Sequence, residues 1–158
     1  MKATHWIIAA VALSFVQTTP GSAATTDPEI IIYRFPGVFD DGGGSLAGSA
    51  TSFHCTNFSG ATETVRFVTR SSSGTLLTNV AVNVAHLATL SASTHDTAVY
   101  SEGPGILATG PVTQGTTAIA ATSINIVCTA MTIDAAAAKV NGVALRGIRF
   151  SPAPGSQE

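Results

Sequence analysis

The chain has 158 residues, with seven Lys or Arg against nine Asp or Glu and a net charge of −2 when histidines are neutral. Charged residues make up 10% of it, against roughly a quarter in an ordinary soluble domain. No basic run occurs along the chain, and no aromatics interleave with the arginines, so nucleic acid and anionic membrane surfaces are excluded as expected partners.

Residues 1–24 read as an export signal. Lys2 gives the positive start, Trp6 to Val16 an uncharged and mostly apolar run of eleven, and Pro20-Gly21 breaks it before the small side chains of Ser22-Ala23-Ala24. Eleven residues fall short of the roughly 20 a membrane anchor needs. No integral membrane segment is therefore expected after cleavage, and the mature product is expected outside the cytoplasm, periplasmic or extracellular. Cleavage after Ala24 leaves 134 of the 158 residues and, with Lys2 gone, a net charge of −3. Leu, Ile, Val and Phe then number 33, about a quarter, which clears the roughly 20% floor for a packed core. The core is expected to be thin.

The periodicity from residue 30 onward is two. Residues 30–35 form a first apolar run, stopped by Pro36-Gly37 and the loop Asp40-Asp41-Gly42-Gly43-Gly44. Phe53 and Cys55 share one face of the next strand, and His54 points to the other. Val65 and Phe67 alternate with Thr64, Arg66 and Thr69; Val80, Val82 and Val84 alternate with Asn79, Ala81 and Asn83. Residues 87–93, 97–101 and 116–120 give further short strands, and Ile124, Ile126 and Cys128 share a face of another. The alanine run at 134–139 is too short for an isolated helix and reads as a turn. Residues 143–150 give the last strand. The pattern predicts an all-β antiparallel sandwich of about eight strands, with Greek-key connections open to it. One domain is expected over residues 25–150, followed by a flexible tail at 151–158.

Two cysteines in an exported chain, Cys55 and Cys128, predict one internal disulfide. The spacing of a blue-copper centre is missing, because no histidine follows Cys128. Three histidines remain after cleavage: His54, His86 and His95. They are the candidate metal ligands, since three imidazoles and a water make a common catalytic zinc site, but none sits at a ligand spacing from another. Asp40 and Asp41, with their glycines, are the candidate calcium ligands, with Glu102 to be recruited from elsewhere. His95-Asp96 offers an acid–base pair; adjacency in sequence is not how such pairs usually converge. Asn57-Phe58-Ser59 matches an N-glycosylation acceptor.

The resulting expectation is a secreted or periplasmic β-sandwich without catalysis or cofactor, binding an unidentified protein or glycan surface or serving an envelope structure. The rival is an exported metal-dependent enzyme, or a calcium- or carbohydrate-binding module, built from His54, His86, His95 or Asp40/Asp41. A further variant has residues 27–35 donated as a strand to a neighbouring copy.

Overall fold

The computed structural model describes residues 29–150; the expected signal, the first residues after it and the tail at 151–158 lie outside the described residues. Nine strands form: β1 (Ile30–Asp40), β2 (Ser49–Asn57), β3 (Glu63–Arg70), β4 (Leu76–Val84), β5 (Thr89–Ser93), β6 (Val112–Ala121), β7 (Ile126–Asp134), β8 (Gly142–Leu145) and β9 (Ile148–Arg149). Two antiparallel sheets result, one ordered β4-β3-β6-β1-β9 and the other β5-β2-β7-β8. Sequence neighbours mostly lie in opposite sheets, while β1–β6, β3–β6 and β2–β7 pair across long intervals. This crossing connectivity is of the Greek-key kind.

The alternating residues face each other across the gap between sheets. Phe35, Val65, Phe67 and Ile119 from the first sheet meet Phe53, Cys55, Ile126 and Ala130 from the second, all nearly or fully buried. Phe53 sits at the centre, with ring centroids 5.7 Å from Phe35 and 5.9 Å from Phe67. Three aromatics thus supply much of the volume that an alanine-rich chain otherwise lacks.

The disulfide joins Cys55 and Cys128, separated by 73 residues. They are direct partners in the β2–β7 ladder, with Cα atoms 4.2 Å apart, near the separation of a non-hydrogen-bonded antiparallel pair. The bridge is interior, as alternation predicts, yet it staples neighbouring strands of one sheet instead of linking the two layers.

Three strand boundaries differ from expectation. Pro36-Gly37 does not end β1; register shifts flank Val38, Gly37 takes φ +81°, and the bulged strand continues to Asp40. Residues 97–101 are not a strand. They belong to a long connection, residues 94–111, that lies against the outer side of β2 and β5. Residues 143–150 split into β8 and β9, one in each sheet, so the chain closes one side of the sandwich at Arg146-Gly147. Gly147 is required there: a Cβ would lie 2.4 Å from Phe35 Cε1. Of the segment expected as a donated strand, residues 30–35 are instead part of β1, paired with β6 of their own chain, and residues 27–28 lie outside the described residues. Residues 134–139 turn without forming a helix.

Candidate functional site

Most of the polar residues singled out from the sequence are engaged in holding loops. His86 precedes β5 and His95 follows it, so β5 separates them, and His54 sits mid-strand on β2. Among the described residues, no three His, Cys, Asp or Glu side chains converge on a position for a metal ion.

Asp40 is buried. Its Oδ1 accepts the Gly42 N–H at 2.8 Å and its Oδ2 lies 2.7 Å from His95 Nδ1. Asp41 is exposed and turns the opposite way. Its oxygens accept the N–H groups of Gly43 and Ser49, both at 2.9 Å, and these bonds hold its carboxyl below the usual range. Gly48 must be glycine to admit this clamp, since a Cβ would meet Asp41 Oδ1 at 2.3 Å. All four carboxylate oxygens a cation would seek therefore already have partners. Asp96 does not orient His95. It accepts a bond from Ser45 Oγ at 3.0 Å, while its carbonyl takes the Leu46 N–H. The His95-Asp96 pair is thus split, one side chain toward β1 and the other toward the glycine-rich loop.

His54 and Glu102 share a denser cluster under the 94–111 connection. The register places Ser52, His54, Ser91 and Ser93 on the outer face of the four-stranded sheet. Glu102 is buried there, and Oε1 accepts hydrogen bonds from Ser93 and Thr97. His54 Nδ1 lies 3.0 Å from Ser91 Oγ, its ring meets Tyr100 edge-on at 4.3 Å, and its Nε2 is buried without a partner. Desolvation pushes the His54 pKa down, opposed by the Glu102 charge. His86 Nδ1 accepts the Gly60 N–H at 3.0 Å, a bond between loops.

The lowered His54 pKa fixes the sign of a pH effect. Below about pH 6.5 the unfolded chain takes up a proton that folded His54 resists. Stability contributed by neutral His54 is therefore whole above that pH and lost as pH falls toward the folded value. The denaturation midpoint of the wild type is expected to drop between pH 7.5 and 5.5, and His54→Gln to show a smaller drop. Equal drops in the two proteins would contradict this.

Two features escaped the sequence. Asn57, the glycosylation match, is fully buried, with both amide hydrogens donated, to Ala61 O at 2.7 Å and Val84 O at 2.8 Å. It cannot carry a glycan in this fold. Second, arginines scattered along the chain gather on the outer face of the five-stranded sheet. Arg34 and Arg66 stand opposite Ala118 and Ala120 of β6, and Arg70 opposite Thr116. A shallow groove of about 170 Å³ runs along β6, lined by Ile31, Arg34, Val68, Arg70 and Thr116, with Ala118 and Ala120 as its floor. Arg66 is engaged by Glu29 through two bonds of 2.5 and 2.9 Å. Arg34, which lies over the Phe150 ring, and Arg70, which donates to Gly74 O at 2.9 Å, flank the groove from β1 and β3, about 12 Å apart at backbone level by two strand spacings and a two-residue offset. Only knowledge of which strands neighbour β6 could have placed 34 beside 70.

Fold and surface together define a disulfide-bonded antiparallel β-sandwich with a short-residue groove between two arginines. Family models, curated proteins and solved structures were compared with the chain, and none matches it.

Proposed function

We propose that the chain is an exported, non-catalytic β-sandwich that works by binding, and that its binding surface is the groove along β6. The observation that carries this reading is the pairing of Arg34 and Arg70 across an apolar, alanine-floored channel in a chain of net negative charge. Large side chains at 118 and 120 would fill the channel; alanine leaves it open. Guanidinium forks favour carboxylate-bearing partners, and a channel parallel to a strand suits an extended segment more than a compact one. An acidic stretch of a partner protein or of a glycan has this chemistry. The reading is supported further by the internal hydrogen bonds of Asp40, Asp41, Glu102 and His86, which assign those side chains to loop architecture. The signal-like residues 1–24 and the disulfide support an oxidising, extracytoplasmic setting.

Titration of the mature protein with hexaglutamate and, separately, with trigalacturonate tests the reading by amide chemical shifts. Shifts confined to residues lining the groove, and reduced at least tenfold in apparent affinity by Arg34→Gln/Arg70→Gln, are the expected result. No shift at millimolar concentrations of either probe, or shifts that the double variant leaves unaltered, would refute it.

A further inference from the structure

The sheet edges are guarded unequally. β9 has two residues and β8 four. β5 has five, and its end is covered where Leu107 N–H donates to Ser93 O beside the Ser93–Ile106 bridge. The stretch of β1 that β9 leaves uncovered is interrupted by Pro36 and by irregular register around Val38. β4 is different: it is a nine-residue edge strand, Leu-Leu-Thr-Asn-Val-Ala-Val-Asn-Val, paired only with β3. It contains no charge and no proline, and its one register shift, between Leu76 and Thr78, leaves Thr78–Val84 regular. Among the described residues, no main-chain hydrogen bond from another segment covers its outer side. Natural edges of this length usually carry a lysine, a proline or a bulge that discourages pairing.

We propose that β4 is a pairing edge and that its occupant is the β4 strand of a second copy of this chain, joined antiparallel about a two-fold axis at Val80. This is independent of the groove and of any ligand there. The register with the axis at Val80 overlaps the regular stretch Thr78–Val82 with its own copy, clear of the shift between Leu76 and Thr78. It sets Val80 opposite its own copy and Thr78 opposite Val82 on the core side of the sheet. Asn79 then faces Ala81 on the outer side. The assignment of sides follows from the β3 partners, since Val80 pairs with buried Phe67 and Asn79 with the half-buried Val68. Within Thr78–Val82 every apolar residue on the core side meets an apolar residue or threonine, and no charge opposes a like charge, so this stretch of the edge is complementary to itself. An isologous two-fold contact is also the commonest way a single chain closes an assembly. The product is a continuous ten-stranded sheet across two sandwiches.

The test is the molar mass of the mature protein by light scattering over a range of concentration, beside the variant Asn79→Glu/Ala81→Glu. Within one copy the new carboxylates lie next to Arg66, which already bonds Asn79. Across the two-fold axis they face each other. The wild type is expected to double its molar mass by high micromolar concentration, and the variant to need at least tenfold more protein. Hydrogen exchange guards against a misfolded variant: wild-type β4 amides should gain protection as concentration rises, while those of β1 do not change. A wild type that stays monomeric, dimers that persist undiminished in a folded variant, or β4 protection that is independent of concentration would each overturn the proposal. So would protection of β4 induced only by a foreign extended peptide, which would give the edge a different occupant.

Discussion

Replacing both Cys55 and Cys128 with alanine is expected to lower unfolding free energy by roughly 4 kcal/mol, the chain-entropy value for a closed loop of this length. The bridge spans 73 residues, so the oxidised unfolded chain is restricted over more than half of the domain. A net stability of about 5–15 kcal/mol is usual, and the variant should lie near the margin of folding. Register explains why the fold accepts the bond: the two cysteines are ladder partners on central strands, and both are buried. The truncation also removes two core sulfurs. Reduced wild type should therefore fall between the oxidised protein and the double alanine variant in guanidinium denaturation. A loss below about 1 kcal/mol would mean that the loop is already restrained in the unfolded state.

Asn57→Ala carries the second large effect, about 3 kcal/mol, because a buried group left without its partner loses roughly 1–3 kcal/mol. The side chain ties the loop at 58–62 to the end of β4 at one end of the sandwich. Nδ2 holds the carbonyls of Ala61 and Val84, and Oδ1 takes the Ser59 N–H at 2.8 Å. Its own main chain bonds Ala88 O and Leu87 N–H, which fixes Leu87 in a left-handed conformation at φ +62°, a strained state for a leucine. Asn57→Asp should be no milder, since it turns an acceptor toward two carbonyls. Denaturant midpoints with hydrogen exchange at 58–62 and 85–88 provide the measurement. Changes below about 0.5 kcal/mol for both variants would contradict the role, that being the usual size of a surface effect.

Alternation alone located most of this architecture. Val65/Phe67, Phe53/Cys55 and Val80/Val82/Val84 each place the correct face inward, because in a strand the side-chain period is set by the backbone. The failures have separate causes. Pro36-Gly37 looked like a stop, but a bulge lets β1 absorb a proline whose missing N–H the ladder does not require. Residues 97–101 have strand composition, yet Thr97 and Glu102 are drawn into a buried hydrogen-bonded cluster with Ser93, and the segment stays irregular. No two of the histidines sit at a ligand spacing along the chain, and among the described residues no three His, Cys, Asp or Glu side chains converge on a metal position. What could not be seen was anything that depends on which strands are neighbours. The Arg34–Arg70 groove needs β1 and β3 on either side of β6, and the role of Asn57 needs the 58–62 loop to meet the end of β4. Neither follows from periodicity.

One intact-mass measurement tests most directly both the Cys55–Cys128 staple of the sandwich and its proposed export. The protein would be recovered from the extracytoplasmic fraction of an expressing cell and treated with an alkylating reagent under denaturing, non-reducing conditions. A mass beginning at Thr25, two hydrogens below the reduced value and free of alkyl groups, is the predicted result. A full-length chain carrying two alkyl groups would contradict it.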